Sequence, residues 1–300
     1  MNLHRYYESD IITSEYYKFR PAYNNEIRDI ILEYLKQVTG KPPLYDLMVD
    51  VGCGSGQATN LMAPYFEKVL ASDISDNQIR IGKSQNKFDH VAYSVGRAEE
   101  IDVEDQSVDL LLSATAAHWF DLSHFFEEAS RILKPNGVLV FMGYLYPKLT
   151  PLTPVLSSSD LTHFATKQLE KWILFGEKFD GASYEHMFDS YAKIFAAIPT
   201  QKKQRRDVEL VYEQKSLAHI KGFMRSDDCV QAYYEFKANE IKEQKGSVTD
   251  EDLKPFDVTA HFGKEIKRKL CLEDANDEEI NIKAVYDIYI LMAHELSLNE

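Results

Sequence analysis

The sequence predicts an α/β fold, in which a doubly wound and mostly parallel sheet of seven strands carries a helical insertion between its fifth and sixth strands. Three observations support this prediction. Short apolar runs alternate with helical stretches in the first half of the chain, which is typical of βαβ units. A glycine-rich turn at residues 52–56 follows the first apolar run. After Tyr144, prolines and helical periodicity interrupt the alternation before further strands follow.

The elements follow from local patterns. Apolar residues at helical spacing between Ile27 and Leu35 predict a helix that ends near Gly40. A second helical stripe around Phe125 precedes Lys134–Gly137, which predicts a helix stop and a turn. Mostly helical sequence runs through residues 216–272. Runs rich in apolar and β-branched residues predict strands at 47–51, 68–72, 91–95, 108–114, 138–143, 206–214 and 282–291.

Composition and charge narrow the function classes. The 34 Lys and Arg against 48 Asp and Glu give a net charge of −14, which repels a phosphate backbone, so we expect no nucleic-acid partner. The chain has no apolar run of membrane-spanning length and no secretory signal, so we expect a cytoplasmic protein without membrane contact. Three scattered cysteines without C-x-x-C spacing predict reduced thiols, with neither disulfides nor a metal site.

The strongest motif is VDVGCGSGQ at residues 49–57, a buried strand that opens into a G-x-G-x-G turn. Glycine there allows the backbone to approach a ligand closely. A dinucleotide fingerprint would need glycine at position 57, which is Gln. Asp73 ends the second strand and can accept both hydroxyls of a ribose, while Asp50 can meet an ammonium group. Together these features predict a cofactor site.

Five segments carry a family resemblance: VDVGCGSGQAT, ASDIS at 71–75, GRAEEI at 96–101, SVDLLLSATAAHWFD at 107–121 and RILKPNGVLVFMGY at 131–144. They resemble the successive motifs of class I S-adenosylmethionine-dependent methyltransferases. His118–Asp121, the spacing of Tyr17–Tyr23 and the inserted helices resemble the trans-aconitate methyltransferase-like group. The resemblance implies a Rossmann-like sheet, S-adenosylmethionine as cofactor and S-adenosylhomocysteine as product.

The resemblance also assigns residues to the cofactor by position. The glycines would face the methionine moiety, Asp73 the ribose, Ala98 and Glu99 the adenine, and Thr115 the transferable methyl. Two positions depart from the family pattern, with Ser55 where proline is common and Gln78 where an apolar residue often packs on adenine. The predicted cofactor-binding residues are Asp50, Gly52, Gly54, Gly56, Asp73, Ile74, Ala98, Glu99 and Thr115.

The acceptor side is less specified. The sequence predicts a small-molecule acceptor, for which we expect an anionic carboxylate that is methylated on oxygen. A carboxylate needs no base, whereas a hydroxyl or amine would need one, for which His118 is the candidate. Trp119 either faces the substrate or packs on the core, and Tyr17 with Arg20 either forms a lid or binds a substrate acid.

Two further sets of residues have open interpretations. The basic residues of 201–206 either attract an anion or are simply solvated. Phe223, Arg225 and Tyr233 either line the pocket or belong to core and surface. Two other functions also remain open, a nicotinamide-dependent oxidoreductase on a similar fold and a non-catalytic cofactor-binding protein.

We expect one domain over residues 1–300. Its predicted parts are an N-terminal lid and helix at 1–43, a cofactor-binding core at 44–144, a helical cap at 145–204, and the remaining sheet and helices at 205–300. The sequence does not indicate an oligomeric state.

Overall fold

A computed structural model describes residues 16–41, 43–152, 158–177 and 188–297. Short 3₁₀ segments lie at Ala63–Tyr65, Ala117–Trp119 and Lys254–Phe256. In chain order the helices and strands are α1 (Asn25–Thr39), β1 (Tyr45–Val51), α2 (Gln57–Met62), β2 (Phe66–Asp73), α3 (Asp76–Gln85), β3 (Val91–Val95), β4 (Val108–Ala114), α4 (Leu122–Ile132), β5 (Leu133–Tyr144), β6 (Lys148–Pro151), α5 (Ser158–Glu177), α6 (Ala192–Ala197), β7 (Lys203–Ser216), α7 (Leu217–Arg225), α8 (Asp228–Lys245), α9 (Asp250–Leu253), α10 (Val258–Leu270) and β8 (Asn281–His294).

The chain folds into two compact units. One, the sheet unit, comprises Pro21–Leu145, Ser183–Leu210 and Asp287–Glu300. The other, the helical unit, comprises Met1–Arg20, Tyr146–Ala182 and Val211–Tyr286. The strands β7 and β8 contribute residues to both.

The sheet unit is built on five parallel strands in the order β3-β2-β1-β4-β5. The strand β1 pairs with β2 on one side and with β4 on the other, so the order reverses beside β1. Ligands of open α/β sheets bind at the carboxyl ends of the strands where such a reversal occurs. The C-terminal part of β8 then pairs antiparallel with β5, from Ile288 opposite Tyr144 to His294 opposite Val138.

The core of the sheet unit follows from sequence patterns. β4 is aliphatic and buried along almost its whole length, as expected of a parallel strand that is covered on both faces. Helix α4 buries the apolar stripe that includes Phe125 and Ile132, and the ring of Phe125 packs against Phe141 of β5 at 5.4 Å. Helix α1 starts at the N-cap Asn24, whose side chain accepts from the Ile27 N–H.

The helical unit contains α5 and α7–α10 with the short strand β6. In this unit β6 pairs antiparallel with the first residues of β8, and the Leu149 N–H donates to the Thr166 hydroxyl of α5 at 2.9 Å. Helix α10 is capped by Asp257, which accepts from the N–H groups of Thr259 and Ala260. The Asp257 carboxylate also accepts from the Tyr234 hydroxyl at 2.9 Å, which links α8 to the start of α10.

The structure confirms the predicted α/β class with a mostly parallel sheet, and it corrects details. The sheet has eight strands instead of seven, because the four residues of β6 pair with β8 inside the predicted helical insertion. Residues 134–137 were predicted to form a turn that separates the helix from the next strand, but they form a bulge within β5. Leu133 pairs with Val108 and Val138 pairs with Leu110, so β5 has extra residues between two paired positions of β4. The predicted first fifteen residues of the lid lie outside the described residues.

The described residues were considered for membrane-spanning helices, metal ligands and cysteine pairing. None of the helices in the described part of the chain is both long and apolar enough to cross a membrane. No group of three or more His, Cys, Asp or Glu in those same ranges is arranged to hold a metal ion. The three cysteines are free thiols, of which Cys53 and Cys229 are buried and Cys271 is exposed.

Candidate functional site

The glycine turn connects β1 to α2, and the three glycines differ in what surrounds them. All three have left-handed backbone conformations. A Cβ atom at Gly52 would collide with Ala116, and one at Gly56 with the Tyr93 hydroxyl. At Gly54 (φ 54°), the nearest protein atom to such a Cβ would be the Gln78 Oε1 at 3.8 Å. Internal packing therefore explains glycine at 52 and 56, whereas at Gly54 a Cβ atom would make only ordinary contact with Gln78.

The Asp73 carboxylate holds the turn in place. It lies at the end of β2, and one oxygen accepts from the Gly54 N–H at 2.9 Å while the other accepts from the Ser75 N–H at 2.9 Å. The Cys53 N–H donates to the Ser72 carbonyl at 3.0 Å, which gives the turn a second anchor on β2.

The Asp50 carboxyl is fully buried near the end of β1. One oxygen accepts from the Thr59 hydroxyl of α2 at 2.5 Å. The other, Oδ1, has no hydrogen-bond partner among the described residues. The pKa of Asp50 is raised to about 7, mainly because the carboxyl is buried. The hydrogen bond from Thr59 lowers the pKa in part, and the nearby charge of Asp73 raises it. A buried oxygen of this kind is costly unless a donor or a cation satisfies it.

The residues of the predicted cofactor region that follow β2 and β3 differ in their burial and in their hydrogen bonds. Ala98 is buried, and Ile74 is half-buried beside Asp73. Glu99 accepts from the Asp121 N–H at the start of α4 and pairs with Arg97 at 3.3 Å. The side chain of Gln78 in α3 is almost fully buried, and its Oε1 has no hydrogen-bond partner in the described part of the chain.

Thr115, the first residue after β4, has a left-handed backbone with φ 57°. This conformation is a strained one for a β-branched residue, and such strain clusters at functional sites. Its N–H donates to the Met142 carbonyl at 2.7 Å, and its hydroxyl lies 3.0 Å from the Tyr23 hydroxyl. The ring of Tyr23 also packs edge-on against Tyr144 at the end of β5.

His118 lies in the short 3₁₀ segment that follows Thr115, and only 9% of its surface is exposed. Its Nδ1 lies 2.7 Å from the hydroxyl of Tyr191, which is itself fully buried. The half-buried Trp119 packs its ring at 5.1 Å from the imidazole. On the other side, Tyr191 packs against Tyr289 of β8 at 4.9 Å. An aromatic cluster thus surrounds the histidine at the carboxyl edge of β4 and β5.

The basic residues of 201–206 largely have internal partners. Lys203 donates to the carbonyls of Phe195, Ala196 and Ile198, where its ammonium satisfies the end of α6. Lys202 pairs with Glu295 at 2.5 Å. These contacts give Lys203 a structural role, whereas Lys202 and Arg206 are exposed, as the solvated interpretation expects.

Arg205 is the member of this basic segment that reaches the aromatic cluster. Its guanidinium donates to the Ser190 carbonyl at 2.8 Å, pairs with Asp207 and lies 5.5 Å from the centre of the Tyr289 ring.

Tyr17 and Arg20 belong to the helical unit. Tyr17 is exposed, whereas the Arg20 side chain is 8% exposed. The Arg20 guanidinium donates to the hydroxyl and the carbonyl of Ser226 and lies 3.5 Å from the Asp227 carboxylate. It also lies 5.0 Å from the ring centres of Tyr16 and Phe223. Arg20 therefore anchors the junction between α7 and α8.

The other predicted pocket residues of the helical unit are mostly packed. Phe223 is buried and packs against Tyr286 at 5.7 Å. Tyr233 is buried against Phe175 at 5.1 Å. Arg225 is half-buried in the last turn of α7. Packing within this unit thus accounts for the two aromatic residues.

Comparison with known proteins decides the family of the glycine-turn segment. Residues 49–141 match a family model described as methyltransferase domain. Residues 49–141 form a methyltransferase domain. The match covers the glycine turn, the end of β2 and the segment after β4. A Saccharomyces cerevisiae relative to which this segment is similar, at 27% identity over 157 residues (51% of this chain and 52% of that protein), is described as an S-adenosylmethionine-dependent methyltransferase.

Individual relatives agree with this assignment. A Dictyostelium discoideum protein named as a methyltransferase is 42% identical over 139 residues, which is 46% of this chain and 49% of that protein. The Methylococcus capsulatus malonyl-[acyl-carrier protein] O-methyltransferase is 31% identical over 155 residues, 49% of this chain and 55% of the relative. The match therefore spans about half the length of these relatives.

A solved structure supports the fold over nearly the whole chain. An Anaeromyxobacter dehalogenans protein described as a type II methyltransferase superposes with a TM-score of 0.63 at 22% identity, covering 92% of this chain and 98% of that one. The methyltransferase relatives favour methyl transfer over the oxidoreductase alternative.

Sequence reasoning missed two residues of the site. Tyr23 was noted only as part of a motif, and its contact with Thr115 spans 92 residues of sequence. Tyr191 lies in the predicted helical cap at 145–204, where no motif singles it out, yet it bonds His118 across 73 residues. Neither contact has a local signal, although the strained backbone of Tyr191 (φ 61°) marks it in the structure.

Proposed function

We propose that the protein transfers the methyl group of S-adenosylmethionine to an oxygen of a small carboxylic acid. The observation that carries the cofactor part is the buried Asp50 Oδ1, which lacks a partner among the described residues and lies on β1 just before the glycine turn. A ligand with an ammonium group would satisfy this oxygen. When bound, S-adenosylmethionine supplies an electrophilic methyl group on a sulfonium.

The chain's own residues would bind and orient the cofactor. Asp50 would accept from the methionine ammonium, and the backbone at Gly52, Gly54 and Gly56 would line the methionine moiety. Asp73, which accepts the N–H groups of Gly54 and Ser75 at the end of β2, would bind the ribose hydroxyls.

The adenine would lie near residues that follow β2 and β3. Ile74 and Ala98 would supply apolar contact, while Gln78 Oε1, buried and lacking a partner in the described ranges, would accept from the adenine amino group. Glu99 already binds the Asp121 N–H, so its contribution would be mainly to hold α4 in place.

The acceptor would approach beside Thr115, His118 and Trp119 at the carboxyl edge of β4. Methyl transfer is an in-line displacement, so the main requirement is a nucleophile held about 3 Å from the methyl with water excluded. The aromatic cluster around His118 supports exclusion of water. An ionised carboxylate attacks without prior loss of a proton.

One relative supports the acceptor class. The Methylococcus capsulatus protein is named as an O-methyltransferase of malonyl-[acyl-carrier protein], and malonyl groups carry a free carboxylate. We also propose that the protein is related to the trans-aconitate methyltransferase-like group, that its acceptor is anionic and that it has no nucleic-acid partner. The substrate roles of Tyr17 and Arg20 and the domain boundaries at 43, 144 and 204 also remain predictions.

The test is an assay with S-adenosylmethionine that carries a labelled methyl group. The panel pairs each of a set of small mono-, di- and tricarboxylic acids with its amide and its alcohol counterpart, and mass spectrometry identifies the product. We expect methyl esters of at least one acid and no product from the matched amides and alcohols. Methylation confined to alcohols, amines or thiols would refute the carboxylate class. Cofactor binding without any turnover would instead favour the non-catalytic alternative.

A further inference from the structure

The hydrogen bond between His118 and Tyr191 specifies the protonation of the imidazole. Nδ1 and the phenol oxygen are 2.7 Å apart, and both side chains are buried. A neutral histidine carries one proton, on either Nδ1 or Nε2, and the bond at one nitrogen determines the state of the other. The direction of this hydrogen bond therefore decides whether Nε2 is a donor or an acceptor.

The chemistry of the two groups favours donation from the phenol. The phenol O–H, with an ordinary pKa of about 10, is a good donor, and the bare imidazole nitrogen is the most basic neutral acceptor among side chains. The phenol oxygen is a weaker acceptor than this nitrogen. With Tyr191 donating to Nδ1, the proton of the ring lies on Nε2, at the edge of the imidazole away from the tyrosine.

The structure holds Tyr191 firmly for this purpose. Ser190 and Tyr191 both have left-handed backbones, with φ 53° and 61°. The Ser190 carbonyl accepts from Arg205 at 2.8 Å, and the Tyr191 carbonyl accepts from the Phe195 N–H at 2.8 Å in the first turn of α6. The ring packs against Tyr289. A strained conformation persists only where its surroundings over-determine it, so the hydroxyl is fixed in position.

We propose that Tyr191 is a positioning residue that locks His118 in its Nε2–H form, so that the histidine presents a hydrogen-bond donor, and not a base, to the methyl acceptor. This inference rests on the proposed function and sharpens it. A donor at Nε2 orients an oxygen that is already ionised, as in a carboxylate, and does not deprotonate an alcohol or an amine. The acceptor class and the tautomer therefore support each other.

The first test is spectroscopic and needs no acceptor. The full chain is labelled with ¹⁵N-histidine, saturated with S-adenosylhomocysteine, and compared with His118→Gln to assign His118 among the nine histidines. We expect an unprotonated Nδ1 and a protonated Nε2 at neutral pH. A protonated Nδ1 with an unprotonated Nε2 would overturn the inference, and so would a doubly protonated ring.

The second test separates positioning from packing. Tyr191→Phe keeps the ring against Tyr289 but removes the hydroxyl, and Tyr45→Phe is the matched control, because it removes a tyrosine hydroxyl that donates to the Lys41 carbonyl at 3.2 Å at the first residue of β1. With a carboxylic acid acceptor identified, we expect Tyr191→Phe to lower kcat/KM for the acid about tenfold and to leave S-adenosylhomocysteine affinity unchanged. The control should retain its activity. Equal activity of Tyr191→Phe and the wild type would overturn the inference.

The two tests keep this inference distinct from the proposed function. If the wild type methylates no acid but His118 has the expected tautomer, the acceptor class fails and the positioning role stands. If the wild type methylates an acid and Nδ1 is protonated, only the positioning role fails. A Tyr191→Phe variant that does not fold leaves the decision to the wild-type spectrum.

Discussion

The N–H of Gly54 donates to the carboxylate of Asp73 at 2.9 Å, so the glycine turn after β1 is fastened to the end of β2. The two residues are 19 positions apart in the sequence, and parallel pairing brings them to the same edge of the sheet. A Cβ atom at Gly54 would make only ordinary contact with Gln78, at 3.8 Å, and Asp73 is the residue proposed to bind the ribose hydroxyls. This one bond therefore joins the two features on which the proposed cofactor site depends.

Replacing Asp73 with alanine should weaken binding of S-adenosylhomocysteine by about 1.5–3 kcal/mol, because the variant loses a charged acceptor for the ribose hydroxyls. Titration calorimetry measures the loss. Asp76→Ala, an exposed acid in the first turn of α3, is the control and should bind like the wild type. A folded Asp73→Ala variant with wild-type affinity would remove the ribose assignment.

Gly54→Ala should lower cofactor affinity at least tenfold while the protein still folds. The added methyl group meets no protein atom closer than 3.8 Å, so its main steric conflict is with a ligand. Gly40→Ala is the control, because Gly40 also has a left-handed backbone (φ 68°) and no atom within 4 Å. Both variants should lose about 1–2 kcal/mol of folding stability, measured by chemical denaturation. Equal cofactor binding by the two variants would contradict the placement of the ligand at Gly54.

The raised pKa of Asp50, about 7 with burial as its main cause, predicts a pH-dependent cofactor affinity. An ammonium ligand favours the ionised carboxylate, so S-adenosylhomocysteine should bind about tenfold more tightly at pH 8 than at pH 6, with a proton released on binding. Calorimetry in buffers of different ionisation enthalpy counts that proton. Asp50→Asn should abolish both effects, and a pH-independent wild type would refute the role of Asp50.

Ligand-free stability should change in the opposite direction. The folded carboxyl of Asp50 binds a proton up to about pH 7, whereas an unfolded one ionises near pH 4, so the folded state holds more protons between these values. Its contribution to the free energy of unfolding therefore falls as pH rises from about 4 to 7. Comparing the pH profiles of the wild type and Asp50→Asn by thermal unfolding isolates this contribution.

Arg20→Met should destabilise the protein by about 3–5 kcal/mol, because it leaves the largely buried Asp227 without its cation. Denaturant unfolding measures this loss, and the double variant Arg20→Met, Asp227→Asn should recover part of it. If the single variant retains its stability and raises only the KM of the acid, the substrate role is correct and the structural role is not.

The sequence predicted well what depends on local pattern. The aliphatic run of β4 was predicted with its observed bounds, and the glycine turn was placed correctly between β1 and α2. The strand β6 was not predicted, because its four residues are too few to show a periodic pattern. They form a strand because they pair with β8, which lies more than 130 residues later in the sequence. The residues of Lys134–Gly137 are of types that favour turns. They form a bulge in β5 because the residues on both sides of them pair with β4.

Side-chain contacts over long sequence distances were beyond the sequence. The sequence predicts that Arg20 forms a lid or binds a substrate acid, but it gives no sign that Ser226 and Asp227, more than 200 residues away, contact its guanidinium. In the same way, Tyr191, the partner of His118, lies in the predicted helical cap, and no local pattern indicates that the two residues meet. The types of residue in the site were predictable, whereas their hydrogen-bond partners required the tertiary structure.

A crystal structure of the full chain with S-adenosylhomocysteine tests the central claim most directly. We predict that the ribose hydroxyls bind Asp73, that the methionine ammonium lies within hydrogen-bond distance of Asp50 Oδ1, and that the ligand passes Gly54 without contact from any side chain at that position. A ligand bound elsewhere, or one that leaves Asp50 Oδ1 without a donor, would contradict the account.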